Sequence, residues 1–246
     1  MSTPQTTLVT GGTRGIGAAI ARRLAGAGHG LVLGYAHDDA AAEALRDELA
    51  PRTRVAVVRS DVTTDDGVEA LFEAAAQIGT VTGLVNNAGA TLHVGPLAET
   101  PTDVVRRTVD LNLTAALLCA RRAVIAFDEA GVAGTIVNIS SGAATLGSPG
   151  EYVQYAAAKA GVDALTLGLA KETAARGIRV VGVAPGTIET RIHADAGDPG
   201  RPARVAERVP LGRIGVPDDI APAVAWLFTA EASYVTGTTL RIAGGL

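Results

Sequence analysis

The sequence predicts a doubly wound α/β fold, in which helices cover both faces of a parallel sheet of seven strands. Short apolar segments that end at Gly, Asn or Asp alternate with longer helical segments along all 246 residues. The apolar segments are rich in β-branched residues without strict polar alternation, which is typical of strands buried on both faces. Since no linker rich in Pro, Gly or Ser and no internal repeat divides the chain, we expect residues 1–246 to form a single domain.

The predicted elements follow one another in regular alternation. Strands are predicted at residues 6–10, 30–35, 54–59, 83–86, 134–139, 178–183 and 238–242. Helices are predicted at residues 15–27, 39–49, 65–77, 102–129, 152–175 and 218–228. The segment from about 187 to 217 contains four prolines and is predicted as a long irregular loop, which in a compact domain is commonly functional. Its arginines are interpreted as a solvated charged face, with anion recognition as the alternative.

Composition and charge exclude several classes of function. Aromatic residues make up 3% of the chain and the formal net charge is −4, so neither a stacking surface nor a basic patch for nucleic acid is expected. The single cysteine, Cys119, is interpreted as a buried filler, so no disulfide and no metal site are expected. No continuous apolar run reaches the ~20 residues of a membrane span and no signal-peptide pattern is visible, so we expect a cytoplasmic protein without a membrane partner.

The first predicted strand runs into a glycine-rich turn that opens a helix. Its residues are Thr10-Gly11-Gly12-Thr13-Arg14-Gly15-Ile16-Gly17. The glycines at 11, 15 and 17 allow a tight turn, close approach of a pyrophosphate and packing of the helix on the sheet, and the helix N-terminus offers free N–H groups. The position of the turn favours dinucleotide binding over a purely structural turn.

The end of the second predicted strand bears on the choice of cofactor. An acidic residue there would bind the adenosine ribose of NAD, but Tyr35-Ala36-His37 occupies the place. Arg14 could neutralise the 2′-phosphate of NADP with paired guanidinium donors, and His37 could touch the same phosphate or be merely solvated. NADPH is therefore the preferred cofactor, while Asp38 and Asp39 lie close enough to keep NADH as an alternative.

Two further strand ends carry residues suited to a dinucleotide. The third strand is followed by Asp61-Val62 and the fourth closes with Asn86-Asn87-Ala88-Gly89. Asp61 could accept a hydrogen bond from the adenine amino group, and the small Ala88-Gly89 pair would let backbone lie against a ribose. Doubly wound sheets bind ligands at these strand ends, although each motif alone could be a helix cap or a turn.

Tyr155 and Lys159 form the strongest candidate catalytic pair. They lie four residues apart on a predicted helix and so share one face, which allows the ammonium to approach the phenol. A nearby cation favours the phenolate, so Lys159 is expected to lower the pKa of Tyr155 from its ordinary value of about 10. Ser141, after the fifth strand, could bind a substrate carbonyl oxygen, and Ser140 is its competitor. The alternative for the pair is an exposed helix face with an amphipathic tyrosine.

Together these motifs resemble the short-chain dehydrogenase/reductase family over essentially the whole chain, and its 3-oxoacyl-[acyl-carrier-protein] reductase-like members in particular. The resemblance rests on the order and spacing of the glycine-rich turn, Asn86-Asn87-Ala88-Gly89, Asn112, Ser141, Tyr155-Ala156-Ala157-Ala158-Lys159 and Pro185-Gly186. It implies a Rossmann fold that binds NAD(P) and a catalytic tetrad. The tetrad falls on Asn112, Ser141, Tyr155 and Lys159.

The resemblance also implies a role for each of these residues. Ser141 holds the carbonyl oxygen and Tyr155 protonates it as hydride arrives from the nicotinamide. Lys159 lowers the pKa of Tyr155 and binds the nicotinamide ribose, while Asn112 holds a water that relays protons to Lys159. Family members orient the nicotinamide carboxamide with the segment after the sixth strand, here Pro185-Gly186 and Ile188, with Thr187 or Thr190 nearby.

The sequence departs from the family pattern at two places. Ala184 stands where the family usually has Asn, and the separation of Ser141 and Tyr155 is one residue longer than in reductases of the fatty-acid type. The second departure affects the shape of the loop at 146–154, which is expected to contact the substrate.

The expected function is NADPH-dependent reduction of a ketone, β-ketoacyl or other carbonyl, to a secondary alcohol. NAD-dependent oxidation of a sugar or secondary alcohol is the alternative among enzymes, and a catalytically silent dinucleotide sensor or scaffold is the alternative of another class. The small-molecule substrate is expected between the loop at 188–217 and Thr91, His93, Ala143, Leu146 and Tyr152. By resemblance, the helices at 102–129 and 152–175 are expected to assemble a homotetramer, with a dimer as the alternative.

Overall fold

The computed structural model describes residues 5–246, and its strands form one parallel sheet. The strands are β1 (Gln5–Val9), β2 (Gly30–Tyr35), β3 (Val55–Arg59), β4 (Thr80–Asn86), β5 (Thr135–Ile139), β6 (Arg179–Pro185) and β7 (Thr239–Ile242). Their order is β3-β2-β1-β4-β5-β6-β7. The order reverses between β1 and β4, and ligands bind at such a switch point. This topology confirms the predicted doubly wound α/β fold.

Helices cover both faces of the sheet. They are α1 (Gly15–Gly26), α2 (Asp39–Leu49), α3 (Asp65–Ile78), α4 (Thr102–Val109), α5 (Ala115–Ala130), α6 (Ala143–Leu146), α7 (Val153–Thr173), α8 (Ile192–Asp195), α9 (Arg201–Ala206) and α10 (Pro217–Leu227). Helices α1, α2 and α10 pack on one face, and α3, α5 and α7 on the other. Within residues 5–246, no helix combines the length and the apolar character needed to cross a membrane.

The prediction of one continuous helix at 102–129 is wrong in the middle of that segment. A π-helical segment, Asp110–Thr114, separates α4 from α5. In it the Asn112 side chain donates to the carbonyls of Thr108 and Ala90, both at 2.8 Å. All residues of this stretch are compatible with a helix, so hydrophobic periodicity does not show the widened turn.

The segment at 187–217 is less irregular than predicted. It contains the short helices α8 and α9, and α6 is a further short helix outside the predictions. Pro202 lies in the first turn of α9, where proline stabilises a helix start. Helices of four to six residues carry too little periodicity to be recognised in a sequence. Strand β4 also begins three residues before the predicted start at residue 83.

A buried polar chain connects the sheet to α7. Asn86 Nδ2 donates to Asn138 Oδ1, and Asn138 Nδ2 donates to Thr166 Oγ1, both at 2.9 Å. Buried amides cost free energy unless they are hydrogen bonded, so these contacts fix β4, β5 and α7 relative to one another. Helix α7 carries the predicted pair Tyr155 and Lys159, and the chain of amides therefore helps to position that pair.

Candidate active site

The carboxyl ends of the strands open into one cleft of about 1380 Å³. Most of the predicted cofactor and catalytic residues line it: Gly11, Thr13, Arg14, Gly15, Ile16, Tyr35, Ala36, His37, Asp61, Val62, Asn87, Ala88, Gly89, Ser141, Tyr155, Lys159, Pro185, Gly186, Ile188 and Thr190. Gly17 and Asn112 do not line the cleft itself. The fold thus brings together residues from most of the length of the chain, as expected for strand ends of a doubly wound sheet.

The glycine-rich turn is shaped to receive an anion. Gly11 and Gly15 have φ of 60° and 51°, a region that side chains disfavour, and a Cβ at Gly17 would collide with the Gly11 carbonyl oxygen. Asn87 Nδ2 ties the turn to the end of β4 through the carbonyls of Thr10 at 3.0 Å and Gly11 at 2.9 Å. The first turn of α1 carries no acidic residue and no side-chain cap, so its N–H groups fit a diphosphate.

The end of β2 gathers charges of both signs. Arg14 Nη1 lies 3.5 Å from Asp38 Oδ2, and Arg59 Nη1 lies 3.8 Å from Asp39 Oδ2. The Tyr35 hydroxyl donates to Asp39 Oδ1 at 2.9 Å. Sequence reasoning did not name Arg59, although it ends the strand beside β2 and pairs in register with Tyr35. Two guanidinium groups and two carboxylates therefore surround the end of β2, at which the sequence predicts the choice between NAD and NADP.

Asp61 is held in its ionised form at the end of β3. Its Oδ1 accepts from the backbone N–H of Thr63 at 3.0 Å and from the Thr63 hydroxyl at 2.6 Å. These hydrogen bonds hold the pKa of the Asp61 carboxyl below its ordinary value. Asp61 lines the cleft as an acceptor, in keeping with the adenine contact predicted for it.

Tyr155, Lys159 and Ser141 meet in the cleft. Tyr155 and Lys159 are 7% and 4% exposed, and the Lys159 Nζ lies 5.7 Å from the centroid of the Tyr155 ring. The Lys159 ammonium donates to the Ile139 carbonyl at 2.8 Å. Both serines line the cleft, but Ser140 is buried and its hydroxyl donates to the Lys159 carbonyl at 3.3 Å, whereas Ser141 is half-buried. Because the Ser140 hydroxyl is engaged with the backbone, Ser141 fits the predicted role better than Ser140 does.

The pKa of Tyr155 is shifted in the direction opposite to the prediction. Burial raises it to about 12, and the hydrogen bond with Ser141 opposes this rise. Burial also lowers the pKa of Lys159 to about 8, against the opposing charge of Asp163. Desolvation disfavours the charged form of each group, and the Lys159 ammonium is engaged with a backbone carbonyl. Desolvation therefore has a larger effect on the pKa of Tyr155 than the charge of Lys159 does.

Asn112 faces Lys159 across a glycine. Its Oδ1 is buried and accepts no hydrogen bond from the described residues. A Cβ at Gly89 would lie 2.6 Å from Asn112 Oδ1 and 3.3 Å from Lys159 Nζ. Gly89 therefore leaves a small space that both polar groups border, and this space suits the proton relay that the family resemblance implies.

The end of the cleft at which the substrate is expected is lined by Thr91, Ala143, Leu146 and Tyr152, but His93 does not line it. The loop at 188–217, also expected there, contributes the side chains of His193 and Arg201. Sequence analysis did not single out His193, and burial lowers its pKa to about 4.

The interpretation of the loop arginines as solvated is wrong for Arg201, whose side chain is only 11% exposed. Its Glu151 partner lies 50 residues earlier in the chain, too far for any local pattern to reveal the pair. Arg191, Arg204 and Arg213 form exposed ion pairs as that interpretation requires.

Comparison with known proteins places the chain among oxidoreductases. A family model described as enoyl-(acyl carrier protein) reductase matches residues 11–246. The chain is 42% identical to the uncharacterized oxidoreductase YgfF of Escherichia coli K12, over 97% of this chain and 98% of that protein. It is 40% identical to the 3-oxoacyl-[acyl-carrier-protein] reductase FabG of Vibrio cholerae, over 97% and 96%. The crystal structure of a blue fluorescent protein from a metagenomic library, in complex with NADPH, superposes with a TM-score of 0.89 at 36% identity, covering 98% and 97% of the two chains.

Proposed function

Since the chain belongs to the short-chain dehydrogenase/reductase family, whose members act on CH–OH and C=O groups, we propose that it is an NADPH-dependent ketone reductase. The proposed substrate is a β-ketoacyl compound or another small carbonyl, which is reduced to a secondary alcohol. The meeting of Ser141, Tyr155 and Lys159 beside a dinucleotide-shaped cleft is the observation that carries the proposal.

The residues present fit a dinucleotide along the carboxyl edge of the sheet. The glycine-rich turn and the uncapped start of α1 would hold the diphosphate, and Asp61 would hold the adenine. Ile188 and Thr190 would contact the nicotinamide carboxamide, and Thr190 lies directly against Gly15. Bound NADPH supplies the hydride equivalent for the reduction.

The protein's own part in the reaction is to bind the carbonyl and to supply a proton. The Ser141 hydroxyl donates to the carbonyl oxygen and so holds it near Tyr155. The Tyr155 phenol transfers its proton to that oxygen, which becomes the hydroxyl of the alcohol. Lys159 would bind the nicotinamide ribose, and Asn112 would order the solvent proton path beside Gly89.

NADPH is preferred over NADH because positive charge borders the end of β2. Arg14 and Arg59 could both turn from their exposed carboxylate partners to a 2′-phosphate, and a guanidinium binds phosphate with paired donors. The alternative is an NAD-dependent dehydrogenase of a sugar or secondary alcohol. Asp38 and Asp39 favour that alternative, since a carboxylate at this strand end accepts hydrogen bonds from ribose hydroxyls.

The test is to follow the absorbance of NADPH and NADH against β-ketoacyl thioesters, quinones, simple ketones, steroids and sugars. We expect at least one carbonyl to oxidise NADPH faster than NADH. Activity with NADH equal to or above that with NADPH on the same substrate would contradict the cofactor assignment. A dinucleotide sensor would instead bind NADPH, measured by fluorescence, and turn over none of the panel.

We also propose that the protein works in the cytoplasm as a homotetramer. Leu117 on α5 and Leu167 on α7 support this proposal, because they are 44% and 46% exposed on the two helices expected to join subunits.

A further inference from the structure

Arg201 lies at the centre of a contact set that joins three separate segments. From α9 its Nη2 and Nε donate to Glu151 Oε2 at 2.8 and 3.3 Å. Its Nη1 donates to the Thr187 hydroxyl at 3.2 Å. The backbone of Glu151 is itself held, because its carbonyl accepts from the Gly95 N–H at 2.6 Å. Glu151 is thus an anchored acceptor to which Arg201 fastens the segment of 187–217, called here the substrate loop.

The same guanidinium reaches the proposed proton donor through one aromatic ring. The Arg201 Cζ lies 5.1 Å from the centroid of the Tyr152 ring. That ring meets the Tyr155 ring edge to face, with centroids 5.5 Å apart and an interplanar angle of 88°. Tyr152 is 5% exposed, so little of the stack is open to solvent. Cation–π and edge-to-face contacts each have a preferred geometry, so a fixed guanidinium restricts the position of both rings.

A direct role of Arg201 in binding an anionic substrate is less consistent with these contacts. All three guanidinium nitrogens already donate to protein acceptors, and one of those acceptors is a carboxylate. The side chain is 11% exposed, so little of it faces the open part of the cleft.

We propose that Arg201 is a positioning residue that fastens the substrate loop to Glu151 and, through Tyr152, fixes Tyr155 for proton transfer. The inference rests on the proposed function, since Tyr155 is the proton donor there. Release of the Arg201 and Glu151 pair would free α9 from the anchored segment and open the substrate end of the cleft. The substrate therefore binds best when the Arg201–Glu151 ion pair is intact. Loss of the pair leaves the distant adenine end of the cleft unchanged.

The experiment compares Arg201→Gln, Glu151→Gln and the double variant with wild type, at saturating NADPH and with the carbonyl that the wild type reduces best. We expect each single change to raise KM for the carbonyl about 10-fold, because either change breaks the Arg201–Glu151 contact that holds the substrate loop. The double variant should exceed the larger single effect by less than about 3-fold, since the second change removes a contact already lost. KM for NADPH should stay within about 3-fold of wild type in all three variants.

Two comparisons separate this role from a general loss of stability. Arg201→Lys keeps the charge but cannot contact Glu151 and Thr187 as a planar fork. Its KM for the carbonyl should therefore lie between the values of Arg201→Gln and wild type. Arg204→Gln, which removes a 62% exposed partner of Asp198 from the same helix, should leave KM unchanged. Hydrogen exchange of the backbone amides at 196–208 should accelerate in Arg201→Gln and Glu151→Gln, but not in Arg204→Gln.

Three results would overturn the inference. If Arg201→Gln raised KM while Glu151→Gln left it unchanged or lowered it, Arg201 would bind a substrate anion directly. If both singles left KM and amide exchange as in wild type, the pair would have no positioning role. Additive effects in the double variant would show that the two side chains act separately. By contrast, a wild type that reduces no carbonyl refutes the proposed function, and amide exchange still decides whether Arg201 fastens the loop.

Discussion

Tyr155 and Lys159 are both buried, and burial moves the pKa of each toward the neutral form of its side chain. A phenol whose pKa is about 12 keeps its proton at neutral pH, which suits a group that must donate that proton to a carbonyl oxygen. An ammonium whose pKa is about 8 is still mostly cationic at pH 7 but loses its charge within reach of ordinary buffers. The charge of Lys159 is therefore the most pH-sensitive part of the site.

Carbonyl reduction should fall as the pH rises through about 8, where Lys159 becomes neutral. Asp163 raises the pKa of Lys159, so Asp163→Asn should move this fall in activity, the basic limb of the pH profile, to lower pH. The asparagine keeps an oxygen for the Thr239 hydroxyl, which donates to Asp163 Oδ1 at 3.1 Å in the wild type. The measurement is kcat/KM for the carbonyl between about pH 6 and 9.5. A limb that stays in place or moves upward would be inconsistent with this role of Lys159.

Arg14 should determine the preference for NADPH. Arg14→Gln is expected to raise KM for NADPH about 10-fold and to leave KM for NADH nearly unchanged, because a charged hydrogen bond to the 2′-phosphate is lost. The matched control is Arg23→Gln, whose side chain is 52% exposed and whose ion-pair partner Asp218 lies 4.0 Å away, outside the cleft. Steady-state kinetics with both cofactors measure the effect. An equal rise in KM for both would assign Arg14 to a part of the cofactor that NADH shares.

At the scale of elements, the strand-end motifs were predictable and the short connecting elements were not. Gly11, Asp61 and Gly89 follow different strands, yet the parallel sheet brings all three to one edge, so strand prediction alone places them together. The π-helical segment at Asn112 depends instead on a tertiary acceptor, the Ala90 carbonyl, which no local pattern contains. Arg201 depends on Glu151 in the same way.

The pKa of Tyr155 was not predictable for a related reason. Spacing along a helix indicates that a lysine lies near a tyrosine, but it does not say how deeply the pair is buried. The 7% exposure of Tyr155 is set by packing against neighbours such as Tyr152. Desolvation at that depth exceeds the effect of a cation whose ammonium is directed to the Ile139 carbonyl.

The buried amide chain between β4, β5 and α7 should contribute measurably to stability. Asn138→Leu removes the acceptor of Asn86 and the donor to Thr166, and should lower the free energy of unfolding by about 1–3 kcal/mol. The measurement is urea unfolding followed by circular dichroism. Because Asn138 is fully buried, an unchanged midpoint would show that the amide chain is not needed to hold α7 on the sheet.

At the scale of the whole molecule, the reversal of strand order between β1 and β4 explains where the cleft lies. The glycine-rich turn follows β1 and Asn87 follows β4, so the two sides of the switch point meet at the proposed diphosphate site. The substrate end is formed by loops from the other half of the sheet, with the substrate loop between β6 and β7. The proposed cofactor site thus rests on the sheet, and the proposed substrate site rests on loops whose contacts are less regular.

The proposed tetramer gives a prediction at the same scale. Leu167→Glu should dissociate the assembly to dimers or monomers, because it places a charge on an apolar subunit contact. Leu211→Glu, at a leucine that is 74% exposed in the substrate loop, serves as the control and should leave the mass unchanged. Size-exclusion chromatography with light scattering measures both. A wild type that is monomeric, or a Leu167→Glu variant that remains tetrameric, would contradict the proposed assembly through α7.

The proposed function depends most on Tyr155 as the proton donor to a carbonyl. The most direct measurement is NADPH oxidation by Tyr155→Phe with the best carbonyl substrate, together with NADPH binding by fluorescence and with Tyr234→Phe as the control at a fully exposed tyrosine. We predict that Tyr155→Phe binds NADPH as the wild type does but loses at least about 100-fold in turnover, while Tyr234→Phe retains full activity. Turnover by Tyr155→Phe at the wild-type rate would contradict the assignment of Tyr155 as the proton donor.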